Sequence, residues 1–279
     1  MDVIISNPAE FAQKKAKLKN GGAKNLHVVS DYDRTITKAY VNGVRYASIL
    51  HLVRQGKYLT PDYSPRAFAL ADEYIPIELN HSLPFDFRRE KLVEWWQKHI
   101  ALMVECGMNK QEVERICREI PFNPREGFFE LVKTLDSKKI PILIFSSSVT
   151  DLIEGLLRRE KMLFPNVHIL SNKYVYDAQG NVTGYADGII HSLNKNEIAV
   201  KETPYFNEIA HRKNVIVMGD VPGDAVMADG LTHEIVLKIG FLNEHVEKNL
   251  EAYKKVFDVL ILNDGSFEFV NELLKETLE

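Results

Sequence analysis

Apolar residues near the amino terminus first follow helical spacing and then form a continuous run. Asn7 is a suitable N-cap, Pro8 favours the first helical position, and Gly21 predicts the end of that helix. The apolar run 25–30 then stops at an acidic cluster that begins with Asp31. Such a run is typical of a buried parallel strand, which delivers polar groups at its carboxyl end. We therefore predict a first helix followed by a central strand.

The segment 43–122 has helical rather than strand-like periodicity. Its apolar residues recur at spacings of three and four, and prolines punctuate it. We predict about four helices here. They would form a cap domain inserted into a core domain that comprises residues 1–42 and 123–279.

Strands and helices alternate after residue 124. The pattern predicts strands at 140–145, 167–170, 214–218, 234–239 and 259–262, helices at 150–161, 224–229, 244–256 and 267–278, and a hairpin formed by 174–177 and 182–187. Strands that are separated by helices form a parallel sheet with helices on both faces. The predicted fold is therefore α/β, with a Rossmann-like doubly wound parallel sheet and an inserted α-helical cap domain.

Composition and charge exclude several classes of protein. Hydrophobic residues make up 45% and charged residues 27%, which are ordinary globular values, and the net charge of −4 argues against a nucleic-acid groove. The two cysteines, Cys106 and Cys117, are too few for a disulfide framework or a four-cysteine zinc site. No apolar stretch has the length of a signal peptide or a membrane span. We expect a cytoplasmic monomer or weak dimer, with neither a membrane nor a nucleic-acid polymer as partner.

Three predicted strands are followed by polar clusters, at 31–35, 146–148 and 219–224. Because the carboxyl ends of neighbouring parallel strands meet at one edge of a sheet, we expect these clusters to open on one crevice. Helix capping would explain Asp33 or Asp224 taken singly, but it gives no reason for three such clusters. Four carboxylates in one pocket would need a counter-ion, and an all-oxygen ligand set suits Mg²⁺. The four are Asp31, Asp33, Asp220 and Asp224.

Lys195 lies between the predicted hairpin and a helical segment. The sequence leaves two interpretations open. It is either a solvated surface lysine, as most lysines are, or an ammonium group that points into the acidic pocket and binds phosphate.

The ordered motifs resemble those of the haloacid dehalogenase superfamily of phosphatases. They are D-x-D-x-T at 31–35, Ser146 at a strand end, Lys195, and G-D-x-x-x-D at 219–224. The inserted helical segment resembles the C1-type cap of that superfamily. More closely, the chain resembles the cytosolic 5'-nucleotidase III family, which includes pyrimidine 5'-nucleotidases and 7-methylguanosine-phosphate nucleotidases. The segments that carry this likeness are 74–78, 92–96, 219–230 and 240–243.

The resemblance implies a role for each matching residue. Asp31 would be the nucleophile and Asp33 the general acid and base. Ser146, Ser147 and Lys195 would bind phosphate, and Mg²⁺ would be held by Asp31, the backbone carbonyl of Asp33, Asp220 and, from further out, Asp224. The nucleoside would meet Glu78, Trp95, Trp96 and His99 in the cap.

The function expected from this resemblance is hydrolysis of nucleoside 5'-monophosphates by a Mg²⁺-dependent 5'-nucleotidase. The base would be a pyrimidine, as in CMP or UMP, or 7-methylguanine. A phosphatase for another small phosphate ester and a catalytically silent phospho-accepting module are the alternatives. Adjacent helical positions point about 100° apart, so we expect one of Trp95 and Trp96 in the core and the other against a base. Arg34 either attracts the phosphate or points to solvent.

Overall fold

The protein is described by a computed structural model that covers residues 2–186, 188–201 and 203–278. The strands are β1 (Val3–Ile5), β2 (Leu26–Ser30), β3 (Tyr40–Val41), β4 (Val44–Arg45), β5 (Ile142–Val149), β6 (Val167–Asn172), β7 (Tyr174–Tyr176), β8 (Val182–Tyr185), β9 (Asn214–Gly219), β10 (Ile235–Leu242) and β11 (Val259–Leu262). The α-helices are α1 (Pro8–Gly21), α2 (Ile49–Gln55), α3 (Tyr63–Leu79), α4 (Phe85–Glu105), α5 (Lys110–Glu119), α6 (Phe128–Ser137), α7 (Thr150–Arg159), α8 (Pro204–Ile209), α9 (Val246–Lys254) and α10 (Glu268–Leu278).

The main sheet of the described residues has seven strands in the order β1-β11-β10-β9-β2-β5-β6. All neighbours in it are parallel except β1, which pairs antiparallel with β11. Successive residues of a strand point to opposite faces, so Val28 packs on one side with α6 and α7 while Val29 packs on the other with α8. Helices therefore cover both faces, and the predicted doubly wound α/β fold is confirmed.

Two strands extend beyond their predicted ends, and the pairing of β5 with β6 has a register shift, or bulge, between Phe145 and Val149. β5 runs through the three serines to Val149, which pairs with Asn172 of β6. Side chains of Ser146 and Ser148 are buried whereas Ser147 is half-buried, as strand alternation requires. The serines are thus part of the strand instead of a cluster that follows it. β10 likewise continues to Leu242.

Several other predicted elements need correction. The sequence pattern did not predict β1 or α6, it set no bounds for α8 in the helical segment after Lys195, and the predicted helix at 224–229 is a 3₁₀ turn at Pro222–Val226. β1 and α8 are too short, at three and six residues, to show a clear period. The hairpin is present as β7 and β8, and Asp187, the predicted end of its second strand, lies outside the described residues.

Four helices, α2 to α5, lie between β2 and α6 in chain order. α3 packs against both α2 and α4, while α5 packs against α7 and the β7–β8 hairpin packs against α4. A small β3–β4 hairpin, missed in the sequence, precedes α2, and its turn residues Asn42 and Gly43 both have positive φ, of 52° and 75°. The boundaries of a separate cap domain at 43–122 stay a prediction.

No α-helix within the described ranges combines the length and the apolar character that crossing a bilayer requires.

Candidate active site

Three adjacent strands carry the predicted chemistry to one edge of the sheet. β2 lies between β9 and β5, and the backbone N–H of Asp31, just past the end of β2, donates to the carbonyl of Met218 at 2.9 Å. This bond keeps Asp31 aligned with β9 for one residue beyond the strand. The end of β9 and the serines of β5 flank it on either side.

The structure brings together Asp31, Asp220, Asp224 and Lys195. Each of the three aspartates offers a carboxylate oxygen, and these oxygens lie within 4.8 Å of one another. The ammonium of Lys195 donates to the Asp31 carboxylate and lies 3.4 Å from Oδ1 of Asp224. Lys195 is 7% exposed, so the interpretation as a solvated surface lysine is wrong.

A glycine allows Asp224 to reach this cluster. A Cβ on Gly219 would overlap the side chain of Asp224, which packs directly on the glycine. Oδ2 of Asp224 accepts hydrogen bonds from the N–H groups of Asp220 and Val221, at 3.1 and 3.2 Å. These bonds hold the turn after β9 closed and leave Oδ1 directed at Lys195.

The cluster holds more negative than positive charge. Burial, together with repulsion from Asp31, raises the pKa of Asp220 well above its usual range. Burial also raises the pKa of Asp224 to about 6, although Lys195 acts in the opposite direction. Burial alone would lower the pKa of Lys195, but Asp31 and Asp224 raise it, so the ammonium stays charged. One lysine does not balance these carboxylates.

Asp33 lies apart from the three-aspartate cluster. Its Oδ1 accepts a hydrogen bond from the backbone N–H of Ile49, the first residue of α2, at 3.2 Å. Burial, and then repulsion from Asp31, raises the pKa of Asp33 to about 7. Its side chain is therefore tied to the helical segment, and metal binding through its backbone carbonyl stays a prediction.

Arg125, which the sequence did not single out, fixes the loop between Asp31 and α2. Its guanidinium donates to the carbonyls of Arg34, Thr35 and Gly265 and to the side chain of Asn243. It also lies 2.7 Å from Asp264. The backbone of Arg34 is left-handed, with a φ of 63°, which is unfavourable for a residue other than glycine. The hydrogen bond that its carbonyl accepts from Arg125 helps to hold this conformation.

Asn172 at the end of β6 holds the segment that leads to Lys195. Its amide nitrogen donates to the carbonyls of Ser147 and Ile190, at 2.9 and 2.8 Å, and its amide oxygen accepts from the N–H of Ile190 at 2.9 Å. Asn172 thus joins the end of β5 to the Lys195 segment. No sequence pattern indicates this role, because a single asparagine at a strand end is common.

A cleft of about 530 Å³ lies between the sheet edge and the helical segment. Its walls include Asp33, Arg34, Ser147, Glu78, Trp95 and Trp96. The hydroxyl of Ser192, three residues before Lys195, donates to the carboxylate of Glu78. Ser146 is 1% exposed, and its hydroxyl accepts from the N–H of Ser148 at 3.1 Å. Arg34 lines the cleft and does not point only to solvent.

Both tryptophans line this cleft, and Trp96 also belongs to the hydrophobic core, as expected for one of the two. Trp95 is half-buried and stacks on Tyr74 with ring centroids 6.0 Å apart. Trp96 is 8% exposed and contacts Tyr185 and His99. A helix can present two successive side chains to a cleft when the cleft wraps around it, because they differ by only about 100°.

His99 lies behind the cleft wall. It is 3% exposed, its ring contacts Trp96 and Tyr63, and Nε2 lies 3.1 Å from the Tyr63 hydroxyl. Burial lowers its pKa to about 3, so the imidazole is neutral at ordinary pH. The structure thus separates His99 from the residues that line the cleft, and any effect on a bound nucleoside would pass through Trp96.

Comparison with known proteins gives consistent relationships over nearly the whole chain. The family model described as pyrimidine 5'-nucleotidase (UMPH-1) matches residues 34–278. The 7-methylguanosine phosphate-specific 5'-nucleotidase of Homo sapiens is 32% identical over 277 residues, which are 99% of this chain and 92% of that protein. The corresponding nucleotidase A of Xenopus laevis is 31% identical, over 98% and 94% of the two chains.

Solved structures give the same relationship. A crystal structure of cytosolic 5'-nucleotidase IIIB bound to cytidine superposes with a TM-score of 0.91 at 30% identity, covering 99% of this chain and 93% of that one. A probable phosphoserine phosphatase from Vibrio cholerae, at 12% identity and a TM-score of 0.57, shares the fold alone. The fold expected from the resemblance to haloacid dehalogenase-type phosphatases is confirmed. The chain belongs to the pyrimidine 5'-nucleotidase (UMPH-1) family, whose named members are phosphoric monoester hydrolases, and it is an enzyme of this class.

Proposed function

We propose that this enzyme is a Mg²⁺-dependent 5'-nucleotidase that hydrolyses nucleoside 5'-monophosphates through an aspartyl-phosphate on Asp31. The observation that carries the proposal is the buried ion pair between Lys195 and Asp31 at the sheet edge, two residues before Asp33, which lines a cleft together with Glu78 and two tryptophans. The ion pair places the Lys195 ammonium beside the Asp31 carboxylate, where a phosphate would arrive. The cleft has the volume of a small-molecule site.

In the proposed reaction, an oxygen of Asp31 attacks phosphorus as the bond from phosphorus to the nucleoside 5' oxygen breaks. Asp33 gives its proton to that leaving oxygen. Asp33 then accepts a proton from a water molecule that attacks the aspartyl-phosphate, which frees phosphate and restores Asp31. Dividing the hydrolysis into two steps lowers each barrier.

Lys195 and the serines of β5 would stabilise the transferring phosphoryl group. The Lys195 ammonium can neutralise charge on a phosphate oxygen, as lysines do at such sites. Ser147 offers its hydroxyl at the cleft surface, whereas that of Ser146 accepts from Ser148 and remains free to donate. Asn172 positions both the end of β5 and the Lys195 segment.

The donor set fits a divalent cation. Three carboxylates offer oxygens within 4.8 Å of one another, and the surrounding charge is too negative for Lys195 to balance alone. Oxygen-only ligands suit Mg²⁺. Asp31, Asp220 and Asp224 would hold the ion, which when bound would supply positive charge to the phosphate oxygens.

The nucleoside would lie against the helical segment, which we propose acts as a cap. Glu78 offers a carboxylate that accepts base N–H groups, and its neighbour Ser192 fixes its orientation. Trp95 and Trp96 offer aromatic surface, and stacking on a base contributes about 1–3 kcal/mol. The cytosolic names of related nucleotidases support a cytoplasmic location.

Phosphate release from a panel of CMP, UMP, GMP, 7-methyl-GMP, phosphoserine and p-nitrophenyl phosphate tests the proposal, with Mg²⁺ and with a chelator. We expect Mg²⁺-dependent turnover that favours nucleotides and falls at least about 1,000-fold in Asp31→Asn. Asp72→Asn, which changes an exposed aspartate of α3, is the matched control. Equal or faster turnover of p-nitrophenyl phosphate would reject nucleotide specificity. Release of a single equivalent without steady turnover would favour a phospho-accepting module.

A further inference from the structure

Arg54 is a buried cation without a carboxylate partner. It lies near the end of α2, it is 7% exposed, and it lines the same cleft as Glu78 and Trp95. Its Nε is buried and makes no hydrogen bond, and among the described residues no carboxylate forms an ion pair with it. Arg45, in the same cleft, pairs with Glu244. The Nε of Arg34 also lacks a hydrogen bond, but the positive charge of Arg34 acts on Asp33 and Asp220 at the sheet edge.

An unpaired buried guanidinium is costly to the folded protein. Arginine does not lose its proton under these conditions, so it cannot relieve the cost by becoming neutral. Buried charges in native proteins are usually paired or bound to a ligand. The position of Arg54 in the wall of a substrate cleft indicates that the partner arrives with the substrate.

The neighbours of Arg54 place it at the nucleoside side of the cleft. Its guanidinium carbon lies 5.9 Å from the centre of the Trp95 ring. Burial is the main cause that lowers the pKa of both His99 and His51, and the positive charge of Arg54 is the next; Arg45 also contributes at His51. The charge of Arg54 therefore acts across this part of the helical segment. Lys195 and Asp31, by contrast, lie at the sheet edge where the phosphate would bind.

We propose that Arg54 determines base specificity by donating to a carbonyl oxygen of a neutral base and by disfavouring a positively charged one. This inference rests on the proposed nucleotidase function and names the substrate class of that site. The class is a nucleoside 5'-monophosphate whose base is uncharged and carries a ring carbonyl, as cytosine and uracil do.

The chemistry of the bases separates the two candidate substrates. A guanidinium has only N–H donors, so its partner must be an acceptor, which the carbonyl oxygens of cytosine and uracil provide. In 7-methylguanine the methyl group occupies N7 and the ring system carries a formal positive charge. Two positive groups inside a cleft repel each other more strongly than they would in water. Arg54 therefore favours pyrimidine nucleotides over 7-methyl-GMP.

The test is the ratio of kcat/KM values for CMP and 7-methyl-GMP in the wild type, Arg54→Met and Arg54→Lys. Methionine keeps much of the side-chain length without the charge, and lysine keeps the charge without the planar set of donors. Arg66→Met, which removes an exposed arginine of α3, is the control. GMP and 7-methyl-GMP form a second, matched pair, since they differ by one methyl group and its charge.

We expect the wild type to prefer CMP, and Arg54→Met to lower the ratio of CMP to 7-methyl-GMP by about tenfold or more. Arg54→Lys should still discriminate against 7-methyl-GMP, and Arg66→Met should match the wild type. A wild-type preference for 7-methyl-GMP, or an unchanged ratio in a folded Arg54→Met protein, would overturn the inference. If no nucleotide is hydrolysed, the proposed function itself fails.

A measurement on the wild type alone covers the case in which Arg54→Met does not fold. Cytidine and 7-methylguanosine, without phosphate, are titrated separately while tryptophan fluorescence is followed, because Trp95 and Trp96 line the cleft. Tighter binding of cytidine agrees with the inference. Equal or tighter binding of 7-methylguanosine contradicts it.

Discussion

Oδ1 of Asp33 accepts a hydrogen bond from the backbone N–H of Ile49, at 3.2 Å. Ile49 begins α2, whose N-cap is Ser48, so the partly positive amino terminus of a helix of the proposed cap faces the proposed general acid. The orientation of the Asp33 side chain is thereby coupled to the position of α2. Movement of that helix would change the direction in which Asp33 presents its proton.

A comparison of Ile49→Pro with Ile49→Ala should isolate the effect of this hydrogen bond on kcat. Proline is tolerated at the first position of a helix but has no N–H to donate. We expect kcat to fall about tenfold relative to Ile49→Ala, which loses the buried side chain but keeps the donor. Steady-state kinetics with CMP measure this. Equal kcat values for the two variants would show that the bond does not matter for turnover.

Lys195→Met should impair both stability and turnover, because it leaves Asp31 and Asp224 buried without their counter-charge. Breaking a buried ion pair on one side costs about 3–5 kcal/mol of unfolding free energy. We expect kcat to fall about 100-fold or more. Lys57→Met, a change at an exposed lysine, should resemble the wild type. Denaturant unfolding with chelator present and CMP kinetics measure the two effects, and retention of both would contradict the assigned role.

Removing Mg²⁺ should lower thermal stability as well as activity. A ligand that binds only the folded state stabilises it, by about 2.7 kcal/mol at 100 times its dissociation constant. The wild type should therefore unfold at a higher temperature in Mg²⁺ than in chelator. Asp220→Asn should lose most of this difference, whereas Asp72→Asn should keep it. An equal Mg²⁺ effect in wild type and Asp220→Asn would remove Asp220 from the metal site.

Arg125→Lys should loosen the loop that follows Asp31. Lysine keeps the positive charge but cannot reproduce several directed bonds from one planar group. Loss of these buried bonds should lower the free energy of unfolding by about 2–4 kcal/mol and kcat/KM by about tenfold. Arg118→Lys, which changes an exposed arginine, provides the control in denaturant unfolding. Unchanged stability would show that the loop holds its conformation without Arg125.

His99 should make the fold less stable in mild acid. Burial holds its pKa at about 3 in the folded protein, below the unfolded value of 6.5, so acid protonates the unfolded chain first. The contribution of neutral His99 to the free energy of unfolding is fully present above pH 6.5 and is lost as the pH falls toward 3. Between pH 7 and pH 5 the free energy of unfolding should fall by about 2 kcal/mol from this cause. Unfolding of His99→Gln at these two values should show a correspondingly smaller pH dependence. His211→Gln, at an exposed site, should keep the wild-type dependence.

Repetitive local patterns made most of the fold predictable from the sequence. The apolar run before Asp31 and the strand at Val259–Leu262 are buried on both faces, and such strands are recognisable without any partner. The end of β5 was predicted too early because the polarity of its three serines suggests a strand end. The serines lie at a register shift, after which Val149 pairs with Asn172, and the Asn172 side chain donates to the carbonyls of Ser147 and Ser148. The turn after β9 is set by contact between Gly219 and Asp224, which no helical period describes.

The site residues that lie in motifs could be predicted from the sequence. Those whose role depends on contacts between distant parts of the chain could not. Asp31, Asp220 and Asp224 lie in ordered motifs at strand ends, so sheet topology alone suggests that they meet. Arg54 and Arg125 have no local pattern that distinguishes them from surface arginines. The role of Arg125 follows from its burial and from partners that are 90 or more residues away in the chain. That of Arg54 follows from its burial and from the missing partner of its Nε.

The hairpin of β7 and β8 also constrains how the enzyme can vary. Tyr185 at the end of β8 contacts Trp96, with ring centroids 6.1 Å apart, and Lys195 follows ten residues later on the same stretch of chain. An insertion or deletion in the hairpin would therefore shift a wall of the nucleoside cleft and the ammonium at Asp31 together. A change in the hairpin that alters base preference would therefore also disturb the phosphate site. Substitutions that change the preferred base without this cost should occur more readily on α2.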